Sequence, residues 1–182
     1  MNLLKAVRRL LGRDELPEGF AGTLDADEQV LGSASLQGGG HLVVTSLGMW
    51  LPTADGVRRL GWHLVSKASW QNGAIVLVEA QVQDDVGGAV LIADLTPRRL
   101  RLAEPGTVPE VVHARVTASI KSRHHRDLPG GGAWFVQRKV PGRDGIVLQV
   151  RADPGTDDAA LRQVAGDVAR TLKLGGAGSR QS

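Results

Sequence analysis

The chain has no cysteine. A disulfide framework, thiolate metal ligands and a cysteine nucleophile are all excluded by that one absence. Tyrosine is absent too, and the aromatic rings are Phe20, Phe135 and four tryptophans. A nucleic-acid surface made of successive stacking rings therefore has little to build on. No stretch approaches the eighteen or so uncharged apolar residues that a spanning helix needs. Near the start, Lys5, Arg8 and Arg9 interrupt what a secretory signal requires as an unbroken apolar core, so the expected location is cytoplasmic. There is no GxSxG elbow and no paired-carboxylate arrangement. Catalysis has no visible address, and neither an enzyme nor a cofactor is expected.

Lysine is scarce, at positions 5, 67, 121, 139 and 173 only, and the formal net charge is +3. Attraction to polyanions would have to come from local clusters rather than from the total. What is present suits a packed globular domain: 182 residues, 42% hydrophobic and 23% charged, enough for one proper core.

Residues 1–13, MNLLKAVRRLLGR, place Leu3, Leu4, Val7, Leu10 and Leu11 at helical spacing, with Lys5, Arg8 and Arg9 elsewhere around the helix. This predicts a short amphipathic helix. Pro17, Gly19 and Gly22 make residues 14–27 a linker, with Asp25, Asp27 and Glu28 read as a solvated acidic loop at its end. Residues 28–174 form the β-rich domain and 175–182 a flexible tail.

Within that domain, short apolar runs broken by turn residues predict an antiparallel meander, and Leu60, Trp62 and Leu64 repeat a period of two. Asp55-Gly56 and Asn72-Gly73 supply the positive φ angles of tight hairpins. Thr107, Pro109 and Glu110 start a helix that runs to about Ile120 with Val112, Val116 and Ile120 on one face. Strands follow at 121–128, 133–140 and 146–152. Thr156, Asp157 and Asp158 then start a last helix whose apolar stripe is Leu161, Val164, Ala165, Val168 and Leu172. The fold class is α+β and β-rich: a curved antiparallel sheet or partly open barrel capped by a C-terminal helix, with one inserted helix.

The segments HLVVTSLGMWLP and RRLGWHLVSKASWQNGAIVLVEA, followed by a strand pair and a terminal amphipathic helix, resemble uncharacterised bacterial proteins with a pleckstrin-homology-like domain. Trp50, Leu60, Trp62, Leu64, Ala68 and Trp70 carry the resemblance. It implies a curved sheet or partly open barrel with one end plugged by the last helix, and a structural role for those residues; the inserted helix departs from that pattern and leaves a two-sheet α+β arrangement as the alternative. It does not transfer lipid binding, because a fold hosts many functions.

A non-enzymatic binding or scaffold module follows as the expected function. The densest basic run is Lys121, Arg123, His124, His125 and Arg126, which Arg58, Arg59, Arg98, Arg99 and Arg101 would strengthen if the sheet brought them together. Trp134, after the run Gly130-Gly131-Gly132, is the tryptophan expected to be partly exposed, whereas Trp50, Trp62 and Trp70 are expected in the core. Lys5, Arg8 and Arg9 offer a second cationic surface. A protein partner leads as the expected ligand. An anionic membrane, met by the first helix at the inner membrane face, and nucleic acid, met by the 121–126 cluster, are the alternatives. No metal is expected, since successive strand residues such as His124 and His125 point to opposite faces.

Overall fold

The computed structural model describes residues 15–173. The expected helix over 1–13, with Lys5, Arg8 and Arg9, and the tail from 175 lie outside them. The chain divides into two compact units, one running up to Val78 and including Thr96–Thr117, the other formed by Glu79–Leu95 and the chain from Ala118.

The first unit opens with the predicted meander: β1 (Val30–Ser35), β2 (His41–Thr45), β3 (Gly48–Thr53) and β4 (Gly56–Gly61), paired in that order. β5 (Val65–Gln71) turns into β6 (Ala74–Val86) at Asn72 and Gly73, whose φ angles of 49° and 74° are those of the primed hairpin turn that an Asn-Gly pair favours. β6 gives its first residues to this unit and the rest to the other. β7 (Ala89–Asp94) belongs to the second unit, and β8 (Arg98–Arg101) returns to pair with the start of β6. Leu36 and Leu102 form a bridge, and Ala103 N–H donates to Ser35 O at 2.9 Å, so the ends of β1 and β8 meet and partly close this unit.

A period of two does not hold through Leu60, Trp62 and Leu64. Residues Trp62–Leu64 form a single 3-10 turn. Trp62 buries its ring at 2% exposure and donates its indole N–H to Thr45 O at 3.0 Å, while the His63 ring folds over Gly61, where a Cβ would lie 2.7 Å from it. A continued strand could not satisfy both.

Helix α1 (Val108–Ser119) then inserts Val108, Val112 and Val116 among Leu42, Val44, Met49 and Ile75. Spacing of four brings these onto one stripe. Ile120, expected on that stripe, begins β9 (Ile120–Leu128) and is 36% exposed. Trp50 and Trp62 are buried as expected, but Trp70 is 44% exposed. It sits one residue before the β5 strand end, beyond the part of β5 that lies over the core.

Glu28 is not a solvated loop residue. Its side chain is fully enclosed and its carboxylate accepts from Thr45 Oγ1 at 2.5 Å, Trp50 Nε1 at 2.9 Å, Arg59 Nη1 at 2.5 Å and the Asp25 N–H at 3.1 Å. Burial by itself would raise the carboxyl pKa, and these four bonds overcome it, so the group ionises below its ordinary range. Arg59 also reaches Asp25 and lies 5.5 Å from the Trp50 ring centre. One carboxylate thus joins the linker's end, β2, β3 and β4.

In the second unit, the remainder of β6 is followed in space by β7, β11 (Ile146–Ala152), β10 (Gly131–Lys139) and β9. The expected all-antiparallel sheet fails at one place: β7 and β11 run parallel, with Leu148 opposite Ala89 and Val150 opposite Leu91. Parallel neighbours need a long crossover, and here it is the whole passage through β8, α1, β9 and β10.

Helix α2 (Asp158–Thr171) starts at Asp157, whose carboxylate accepts from Ala160 N–H at 2.9 Å, and covers one face of this sheet. Its buried line is Leu161, Ala165 and Ala169, against Ala89, Leu91, Phe135, Leu148 and Val150. Val164 and Val168 only flank it, and Leu172 is 37% exposed. Alanines at the centre let the helix backbone approach the strands, which displaces the stripe from the larger residues expected to lead it. The Gly130–Gly132 triplet serves a similar purpose. A Cβ on Gly130 would meet Gly155 O at 2.3 Å, and Thr156 Oγ1 accepts from Gly132 N–H at 3.0 Å, so the β9–β10 turn is pressed against the turn that begins α2. Among the described residues no helix is long and apolar enough to cross a membrane.

Candidate functional site

β9 reads IKSRHHRDL, and in a strand its alternate residues serve opposite faces. The register with β10 settles which. His125 lies opposite Trp134 and Arg123 opposite Val136 on one face, while His124 lies opposite Phe135 and Arg126 opposite Ala133 on the other. Pairing shifts between Gln137 and Arg138, so Lys121 falls in the irregularity between Ser122 and Ile120. The basic run is therefore not one patch but a strand charged on both sides.

On the first face the guanidinium of Arg123 lies 4.2 Å from the centre of the Trp134 ring, and the His125 ring meets the same indole edge-on at 5.1 Å. His125 Nε2 is 2.6 Å from Asp153 Oδ2, at the end of β11, and its other nitrogen is 3.8 Å from Asp127. Trp134 is half-buried, close to its expected exposure, but its ring is already covered by a cation and an imidazole. On the second face Arg126 lies 5.8 Å from the Phe135 ring.

The same face as Trp134 continues into residues that the sequence did not single out. Arg151 lies opposite Trp134 and pairs with Asp94 at 2.9 Å. Arg138 is buried, and that burial, with the nearby charge of Arg151, pushes its guanidinium down to about 10, so it stays cationic at neutral pH. The only advance sign of Arg138 was an arginine within an apolar strand. The partnership of His125 with Asp153, 28 residues away, had none.

Three of the five other arginines expected to add to the cluster are engaged in the first unit. Arg59 holds Glu28 and Asp25, Arg98 donates to Pro52 O, and Arg99 donates to Gln71 O. His124 and His125 take opposite faces, and among the described residues no three His, Asp or Glu side chains gather where a metal ion could be held.

β9 has one further property. It is the last strand of its sheet, and among the described residues no strand pairs with its outer edge. All of it is exposed except half-buried Ser122 and Leu128. An edge of this kind presents a row of backbone donors and acceptors to solvent. Compared with protein-family models, with curated proteins and with solved structures, the chain finds no match in any of the three.

Proposed function

We propose that the chain is a non-enzymatic binding module that recruits a protein partner by adding an acidic, extended segment of that partner to the β9 edge. One observation carries the reading: β9, a strand with three cations and two histidines, is also an open edge of its sheet among the described residues. Backbone hydrogen bonds along such an edge give affinity without regard to sequence, and side chains on either face of the added strand give selectivity. Lys121, Arg123 and Arg126 put three cations on β9 against the single anion Asp127. A neighbouring strand with acidic residues would meet those cations as cross-strand pairs.

The pleckstrin-homology-like part of the reading is supported by the first unit, where β1 to β4, then β5, β6 and β8, precede a helix with three valines in the core. In that arrangement the inserted helix α1, not the C-terminal helix expected from the sequence, is the plugging helix, and the second unit adds the binding edge. A nucleic-acid role is less favoured, because Arg123 and His125 already occupy Trp134, the ring on which a base would stack.

The test is fluorescence anisotropy at low salt with a labelled decapeptide of repeated Glu-Glu-Val, which as a strand carries carboxylates on both faces. Binding is expected for the intact chain, and the combined change Lys121→Glu, Arg123→Glu and Arg126→Glu should weaken it at least about tenfold, at on the order of 1 kcal/mol per exposed ion pair. Equal affinity of the triple variant, or a clear preference for duplex DNA with a steep salt dependence, would overturn the proposal.

A further inference from the structure

The first unit contains a cleft of about 320 Å³ between β5 and the first turns of α1. Its lining includes Ile75 and Val112, both essentially buried, with Ala68, Trp70, Pro109 and Glu110 around them. The size lies at the small end of ligand pockets, which run from about 300 to 1,000 Å³. Most of the lining is apolar, and Glu110 is its one formally charged side chain at neutral pH, with Ser69 and His113 completing the polar part.

Trp70 sets this cleft apart. Trp62 is buried with its N–H on Thr45 O. Trp50 and Trp134 each have a guanidinium close to the ring, Arg59 at 5.5 Å and Arg123 at 4.2 Å. Among the described residues Trp70 has no such cation, and the residue is 44% exposed beside the cleft.

We propose that this cleft binds a small organic cation: a quaternary or alkylated ammonium carrying an apolar body. A tryptophan face is the best side-chain partner for such a group, since weakly hydrated cations lose little by leaving water for an electron-rich ring. Glu110 supplies the opposite charge, and the apolar lining takes the alkyl part. An anion would gain from the positive end of α1, but Glu110 already stands in the first turn and occupies that field. A neutral ligand would leave the carboxylate and the ring without a charge to meet. The same chemistry could be offered by a free ammonium compound or by a trimethylated lysine side chain.

Isothermal titration of the full chain with choline and with 3,3-dimethylbutan-1-ol, its neutral isostere, tests the idea. Choline should bind roughly tenfold more tightly than the isostere, as cation–π attraction to a partly desolvated ring implies. Trp70→Ala should abolish choline binding, and Glu110→Gln should weaken it severalfold while leaving the isostere unchanged. Both residues are exposed, and circular dichroism would establish that the variants fold. A trimethyllysine peptide in a parallel titration identifies the source: tighter binding than choline points to a protein side chain, weaker binding to a free compound. Equal binding of choline and its isostere, no binding of either at millimolar concentration, or choline binding that survives Trp70→Ala would each overturn the proposal.

Discussion

Glu28→Ala should destabilise the first unit by about 2 to 4 kcal/mol, the cost of leaving buried donors without their acceptor, while Arg59 keeps Asp25. The substitution takes the acceptor from Thr45 Oγ1, Trp50 Nε1 and Arg59 at once, and the first two donors are buried with it. A midpoint lowered by roughly 10 °C is expected in thermal unfolding followed by tryptophan fluorescence. The same group should make stability depend on pH in a definite direction. Its carboxyl ionises below the ordinary 4.5 in the folded chain, so its contribution is complete above that value and is lost as pH falls through the lower folded-state value. Glu28→Gln should keep the shape, lose part of the stability at neutral pH and flatten the acid limb of the profile. A Glu28→Ala variant as stable as the parent at pH 7 would show that the four-bond cluster contributes nothing net.

Leu161→Asp should be at least as damaging in the second unit. The side chain is 6% exposed among Ala89, Leu91, Phe135 and Leu148, and a carboxylate there would be buried without a partner. Several kcal/mol are expected from that desolvation alone. Leu172→Asp is the matched control, because position 172 is 37% exposed, and a change within about 0.5 kcal/mol is expected there. Chemical denaturation of the pair separates a helix that belongs to the core from one that lies outside it. Equal, small losses in both variants would mean that α2 is peripheral.

Features decided by neighbouring residues were legible in the sequence, and features decided by distant ones were not. Asn72-Gly73 announced its hairpin because positive φ is a property of those two residues, and the structure has it at both. The inserted helix was expected from Thr107 to about Ile120 and is found at Val108–Ser119, since valines four apart mark a stripe whatever they pack against. Glu28 was misread because an acidic residue beside Asp25 and Asp27 looks solvated, and the donors that bury it come from positions 45, 50 and 59. Parallel pairing of β7 with β11 leaves no local mark, being fixed by the path of the chain between them. For the candidate site, the basic strand and Trp134 were legible as composition. Their division between two faces, the stacking of Arg123 on Trp134, the capture of His125 by Asp153 and the open edge depend on register and strand order.

Backbone pairing at β9 is the centre of the functional account, and hydrogen exchange reads it directly. The amides of residues 120–128 would be followed with and without the acidic decapeptide, and with the same peptide N-methylated at alternate backbone nitrogens. The account predicts slowed exchange at alternate β9 amides, those that face outward, with the unmodified peptide. It predicts no slowing with the peptide methylated on the nitrogens that face the edge. Protection that is unchanged by methylation, or that falls elsewhere while β9 exchanges freely, would contradict it.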